Sequence, residues 1–162
     1  MAEKYLVEVN DIGTSWYAWA GTDRTLHRLD GPAIEWSDGR RDWYQNGQRH
    51  RLDGPALVRP DGYRAWYHNG RRHRIDGPAI ERPDGRRDWY HNGQLHRVDG
   101  PAIIHENGRR EWYQNGQLHR LDGPAVEYPD GDKFWFINGK VLTEAEWQQQ
   151  VADCDGNRIR TG

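Results

Sequence analysis

The stretch DWYQNGQRHRLDGPALVRPDG, Asp42 to Gly62, holds two different turns and the strands between them. Asn46-Gly47 is the strongest short hairpin signal, because a type I′ turn needs positive φ at both central residues. Pro60-Asp61-Gly62 sets the second turn, with proline fixing φ and glycine closing the loop. Between them, HRLDGPALV reads as a strand that Asp53-Gly54-Pro55 must bend, since proline removes a ladder donor and glycine permits unusual dihedrals. The two halves of that strand then pair with different short strands. Turns this close leave no space for a helical period, so the expected fold is an all-β, elongated antiparallel meander of hairpins.

Outward from this stretch the same pattern recurs. Gly31, Gly54, Gly77, Gly100 and Gly123 are spaced 23 apart, as are Gly39 to Gly131 and Gly47 to Gly139. Five repeats follow without insertion: His27 to Arg49, His50 to Arg72, His73 to Leu95, His96 to Leu118 and His119 to Val141. Such a period marks a repeat architecture in which each unit buries its apolar side against its neighbours. Residues 1–26 and 142–162 lie outside it and are expected to cap the two ends. At the start, Lys4 to Val9, a turn at Asn10 to Gly13, and Ser15 to Trp19 read as a degenerate hairpin. At the end, Thr143 and Glu146 form a capping box, with Leu142 and Trp147 spaced as a hydrophobic staple. They predict a short helix over about Glu144 to Ala152, with Trp147 and Val151 sealing the last hairpin and a frayed tail from Asp153.

Composition narrows the class. Only 26 of 162 residues are Leu, Ile, Val or Phe, about 16%, below the roughly 20% at which composition suggests disorder. Nine Trp, eight Tyr and a net charge of only −2 point instead to a thin fold packed with aromatics. No apolar run approaches a membrane span, and the charged N-terminus does not resemble a signal peptide, so a soluble, cytoplasmic protein is expected. One cysteine, Cys154, excludes an internal disulfide framework and a cysteine-rich zinc site. Flanked by Asp153 and Asp155, it is also a poor nucleophile.

Charge pairing tests the register. A two-residue Asn-Gly loop sets Asp42 opposite Arg51, Asp88 opposite Arg97 and Glu111 opposite Arg120. A three-residue Pro-Asp-Gly loop sets Glu35 opposite Arg41, Glu81 opposite Arg87 and Glu127 opposite Lys133. It also sets Ala33, Ala56, Ala79, Ala102 and Ala125 opposite Trp43, Trp66, Trp89, Trp112 and Trp135. Alternation then sends Tyr44, Tyr67, Tyr90 and Tyr113 to the other face.

These motifs resemble MORN repeats, 23-residue hairpin units that run aromatic, Asn-Gly, basic-His-Gly and Asp-Gly. The resemblance covers residues 27–141 and departs where MORN units carry glycine after the histidine; here Arg51, Arg74, Arg97 and Arg120 stand. The HRxDGPA form also looks like a variant in small proteins of phages, large viruses and bacteria, including antitoxin-like relatives. It implies a binding or scaffold role, with an inhibitor of the phage counter-defence or antitoxin-like kind as one form.

The histidines His27, His50, His73, His96 and His119 raise the question of a metal. Two strand spacings, about 9 to 10 Å, separate equivalent positions, too far to share one zinc. Each is expected to pack on Trp, while Asp30, Asp53, Asp76, Asp99 and Asp122 cap their own turns. Every potential acid, base and nucleophile recurs at a structural period, whereas catalysis needs one convergent constellation. The expectation is therefore a protein that is not an enzyme and uses neither metal nor cofactor.

The tenth and fourteenth positions of the repeat change from unit to unit, and the register pairs them beside the Pro-Asp-Gly turns. The pairs are Trp36 with Arg40, Arg59 with Tyr63, Arg82 with Arg86, His105 with Arg109, and Tyr128 with Asp132. Their aromatic and basic composition matches binding hot spots. This stripe is expected to bind without stabilising the fold. Its positive charge points to a protein partner with an acidic surface; the alternative is an anionic ligand, a nucleic acid, nucleotide or phospholipid headgroup.

Overall fold

The computed structural model describes residues 5–20 and 23–158. The chain divides into two compact units, Met1–Gly93 and Gln94–Gly162, and both are built from the 23-residue hairpin repeat. At the start, β1 (Leu6–Asn10) and β2 (Gly13–Ala20) form the predicted hairpin, paired Leu6 to Tyr17 through Asn10 to Gly13. Asn10 Oδ1 accepts the amides of Ile12 and Gly13 and so shapes the turn. The expected strand also included Lys4, which lies outside the described residues. The opposite edge of β2 pairs with β3 (Asp23–Leu26) and with Ile34–Trp36 of repeat 1. The N-terminal hairpin therefore covers the first repeat as expected.

Both turn types form as read. Asn46, Asn69, Asn92, Asn115 and Asn138 have φ of 48° to 50°, each followed by a glycine with positive φ; this is the geometry of a type I′ loop. The Pro-Asp-Gly turn is a three-residue loop that ends on a positive-φ glycine, and its first carboxyl or amide oxygen accepts a backbone amide two residues on, as in Asp61 to Tyr63 at 2.8 Å. Glu35 pairs with Arg41, Glu81 with Arg87 and Glu127 with Lys133, the register derived from sequence. Within the first unit, strands follow in the order of the chain: Ile34–Trp36, Arg41–Asp42, Leu57–Val58, Arg64–Ala65, Ile80–Glu81 and Arg87–Asp88. In the second unit, Ile103–Ile104, Arg110–Glu111, Val126–Glu127 and Lys133–Ile137 do the same.

Two features depart from an uninterrupted meander. Strand geometry breaks at Trp43, so Tyr44–Gln45 and Gln48–Arg49 form a separate two-stranded ladder. Tyr67–His68 with Arg71–Arg72, and Tyr113–Gln114 with Gln117–Leu118, repeat this arrangement. In the last repeat Lys133–Ile137 runs straight through into a pairing with Lys140–Leu142. The bend places tyrosines over one face of the sheet: Tyr63, Tyr67 and Tyr90 pack on the buried cluster of Leu57, Ala65 and Ile80. Burial of Leu57, Ile80, Ile103 and Val126 at the eighth position and of Asp42, Ala65, Asp88 and Glu111 at the sixteenth makes the tyrosine side the core, while Phe134 is exposed and Ala33, Ala56, Ala79, Ala102 and Ala125 are fully buried beside the indole row. Trp43 N bonds the carbonyl of Ala56 in the next repeat, and His50 N bonds Trp43 O.

The second correction concerns charge. Asp42 does not face Arg51 in an ion pair; it bonds Arg49 at 3.1 Å and lies 3.2 Å from Arg40. Glu111 takes His105 and Arg109 instead of Arg120. Beyond Trp43 the ladder no longer continues into the sheet, and Asp42 turns inward while Arg51 turns to Asp53.

At the C-terminus, helix α1 spans Glu144–Arg158, longer than the predicted end at Ala152, so Asp153 and Cys154 lie on the helix instead of in a frayed tail. The capping box forms: Thr143 N and Oγ1 both reach Glu146 Oε2 at 2.8 Å, and Glu146 N reaches Thr143 Oγ1 at 3.3 Å. Trp147 Nε1 donates to Arg120 O at 2.9 Å, tying the helix to the last repeat. No helix among the described residues is long and apolar enough to cross a membrane.

Candidate functional site

The structure brings each predicted pair together within its own hairpin, and gives most of these residues a structural duty. Backbone bonds pair Trp36 with Arg40, Arg59 with Tyr63, Arg82 with Arg86, His105 with Arg109 and Tyr128 with Asp132. In repeat 1, Trp36 Nε1 donates to Asp42 Oδ2 at 2.7 Å, and the Arg40 guanidinium lies 3.7 Å over the Trp36 ring. In repeat 3, Arg86 Nε bonds Asp88 at 2.7 Å and Arg82 approaches it at 3.6 Å. In repeat 4, Glu111 receives His105 at 2.6 Å, Arg109 at 3.0 Å and the Tyr113 hydroxyl at 2.9 Å. Asp42, Asp88 and Glu111 are all buried, and burying a carboxylate is costly unless several donors surround it. Where the sixteenth position is Ala65 or Phe134, the partners change: Arg59 stacks on Tyr63, and Tyr128 meets Phe134 edge-on at 5.9 Å. The variation along the stripe follows what is buried beneath it. Sequence reasoning saw the variation but could not see the buried acid that drives it.

A second row, at the Asp-Gly-Pro bends, is built with more regularity. The arginine after each histidine lies flat on an indole: Arg28 over Trp16, Arg51 over Trp43, Arg74 over Trp66 and Arg120 over Trp112, with guanidinium-to-ring distances of 3.9 to 4.2 Å. The Nε of each also bonds the aspartate two residues on, at 2.8 to 3.0 Å. A further donor reaches the following proline carbonyl. Glycine at the fifth position leaves room for the stacked arginine: a Cβ on Gly54 would lie 3.1 Å from the guanidinium carbon of Arg51, which would have to give by a few tenths of an ångström. These arginines lock the bend. The aspartates were expected to cap their own turns; the carboxylates of Asp53, Asp76 and Asp99 do take their own backbone amides, and these bonds together with the arginines, the arginine bond first, hold them below the usual carboxylate range.

The histidines also take a role that packing on Trp does not describe. The amides of Asn46, Asn69, Asn92, Asn115 and Asn138 reach the Nδ1 of His27, His50, His73, His96 and His119 at 3.1 to 3.2 Å. Accepting the Asn92, Asn115 and Asn138 amides assigns the proton of His73, His96 and His119 to Nε2; at His27 and His50 the Nδ1 also lies 3.0 and 2.7 Å from Asn46 and Asn69 Oδ1, acceptors that call for a proton on Nδ1. In the first unit, the rings of His50, His68, His73 and His91 follow one another at centroid distances of 4.8 to 5.8 Å. Burial, then the neighbouring His91 and His68, push the His73 pKa down. No group of three ligating side chains that could hold a metal ion occurs among the described residues.

Between successive bends lie open grooves. One of about 620 Å³ is lined by Leu29, Pro32, Trp43, His50 and Leu52. The next, of about 750 Å³, is lined by Leu52, Pro55, Trp66, His73 and Ile75. The third position of the repeat forms their rim, and its side chains are outward: Leu29 is 57% exposed, Leu52 80%, Ile75 87%, Val98 79% and Leu121 41%. This row was legible in the sequence as an invariably aliphatic position, but its exposure was not. Compared with protein families and with curated proteins, the chain matches none.

Proposed function

We propose that the chain is a non-enzymatic binding protein that holds another protein along the row of Asp-Gly-Pro bends. The observation that carries this reading is the third position, aliphatic in all five repeats and turned to solvent. An exposed bend without a partner would accept Lys, Glu, Ser or Thr. A periodic apolar row over tryptophan-floored grooves is instead a surface suited to being desolvated by association. The MORN resemblance supports the same reading, since it implies binding or scaffolding. An array that covers one surface of a partner also blocks that surface, which is how an inhibitory role would arise.

An anionic ligand finds fewer open cations than the sequence suggested. Arg40, Arg82, Arg86 and Arg109 lie against buried carboxylates, and Arg28, Arg51, Arg74 and Arg120 are flat on indoles with aspartate on Nε. The exposed charge at the bends is that of the aspartates, so the favoured partner presents apolar and basic groups in place of an acidic surface.

The test compares wild type with a variant carrying Leu29→Ser, Leu52→Ser, Ile75→Ser, Val98→Ser and Leu121→Ser in crosslinking and capture from cell extract. Wild type should enrich a defined protein that the variant loses, with Tm unchanged. Capture of the same protein by both, or of nucleic acid in its place, overturns the reading.

A further inference from the structure

Resting on that binding face, we propose that its ligand is a polyproline II segment carrying basic side chains, laid along the repeats of the first unit so that every third residue enters a successive groove. Each repeat adds two strands to the sheet, hence about 9.6 Å per repeat from the usual strand separation. Polyproline II rises about 3.1 Å per residue with three residues per turn, about 9.3 Å for each return to the same side. An extended β-strand returns to one side every two residues, about 6.8 Å, and falls out of step after one groove. An α-helix needs about 5.4 Å per turn and does no better. The three-residue helix is the commensurate one.

The groove chemistry agrees with the spacing. Polyproline II ligands dock into aromatic-lined grooves and have no internal hydrogen bonds, so their carbonyls require external donors. Trp43 lines the first groove and Trp66 the second, with the aliphatic rims Leu29, Leu52 and Ile75 between and beside them. His73 lines the second groove and keeps Nδ1 for the Asn92 amide, leaving its Nε2 proton as a donor there. The electrostatics choose the sign of the ligand. Arg51 and Arg74 are only 26% and 21% exposed, whereas the carboxylates of Asp53 and Asp76 that they orient are 83% exposed. Each bend therefore offers an outward negative charge beside an apolar rim, which suits Lys or Arg set between prolines.

Fluorescence anisotropy with labelled (Pro-Pro-Lys)4 tests the proposal on the full chain. The controls are (Gly-Ser-Lys)4, equally charged but without polyproline II preference, and (Pro-Pro-Glu)4, of the same conformation and opposite charge. The expected result is affinity for (Pro-Pro-Lys)4 at least about tenfold above both controls. It should increase steeply from one triplet to two as a second groove engages, and fall about tenfold or more in Leu52→Ser/Ile75→Ser at unchanged Tm. Equal binding of (Gly-Ser-Lys)4 reduces the effect to charge and overturns the proposal, as does full binding by the double variant. If (Pro-Pro-Lys)4 does not bind while the five-serine variant still loses a captured protein, the polyproline assignment fails and the binding face stands. If that variant loses nothing, both fail.

Discussion

In repeat 2, Ala65 sits buried between Leu57 and Ile80 under Tyr63, Tyr67 and Tyr90. In repeat 1, the same position is Asp42, equally buried, paired across the sheet with Ile34 and Leu57 and ringed by Trp36, Arg40 and Arg49. The backbone is the same hairpin in both. One repeat fills the site with a small apolar group and lets aromatics close over it; the other fills it with a charge and brings donors from both flanking strands. Arg72, the repeat 2 equivalent of Arg49, turns to the hydroxyls of Tyr67 and Tyr90 instead of a carboxylate. The comparison teaches that the tenth, fourteenth and sixteenth positions change as a set, because a buried acid and its donors are only tolerable together.

The largest effect should come from breaking such a set in one place. Asp42→Ala leaves Arg40, Arg49 and Trp36 Nε1 without their acceptor, and should destabilise by about 3 kcal/mol, within the range for removing one partner of a buried pair. Arg40 and Arg49 keep some water, which holds the cost to the lower end of that range. Exchanging the whole set, Trp36→Arg, Arg40→Tyr and Asp42→Ala, writes repeat 2 chemistry into repeat 1. It should return stability to within about 1 kcal/mol of wild type, because replacing a buried ionic group by well-packed residues is often neutral. Urea unfolding of both variants checks the comparison, and a triple variant as damaged as the single one would break it.

A smaller effect separates repeat 3 from the rest by pH. The imidazole of His73 accepts the Asn92 amide and faces His68 and His91, and its pKa is held down by burial first and by those two rings next. The unfolded chain therefore binds the proton more readily than the folded one. Stability from this group is complete above the unfolded histidine value, about 6.5, and is lost as pH falls below it toward the lower folded value. Melting followed from pH 7.5 to 5 should show Tm falling across that window. His68→Gln with His91→Gln removes the neighbouring rings and should flatten the fall. The lowered pKa values of Asp53, Asp76 and Asp99 act in a separate window: their contribution is present above about pH 4 and lost below it.

The turns, repeat boundaries and sheet register were legible because they depend on local chemistry: φ > 0 at Asn46-Gly47, and a three-residue loop at Pro60-Asp61-Gly62. The core face was not. Tyr44 and Trp43 give both sides of the strand an aromatic, so alternation alone cannot say which side is buried, and Asp42 reads as a surface charge until the bend at Trp43 turns it inward. The bend also undid the pairing of Asp42 with Arg51, since a register counted from the Asn-Gly turn holds only while the ladder stays straight. The exposure of the row beginning at Leu29 and Leu52 was not legible either: an aliphatic in a strand-like segment ordinarily points inward, and the Arg-locked bend turns this one out.

The smallest effect contrasts the array with its C-terminal cap. Thr143 and Glu146 satisfy each other's amides at the start of α1, an N-terminal lock worth about 1 kcal/mol when its threonine is replaced by alanine. The Glu146 carboxyl is held below its usual range by its bonds to Thr143, as expected of a carboxylate that accepts a backbone amide. Thr143→Ala should speed amide exchange in the first turn of α1 and leave the Asn-Gly hairpins of repeats 1 and 2 unchanged, because in a repeat array each element is stabilised mainly by its immediate neighbours. The Trp147 bond to the Arg120 carbonyl makes the last repeat the place where the loss would first spread. Exchange that quickens equally at Asn46 and Asn138 would mean that the array responds as one cooperative block, and the repeat-by-repeat comparison between Ala65 and Asp42 would then report on the whole chain in place of its own surroundings.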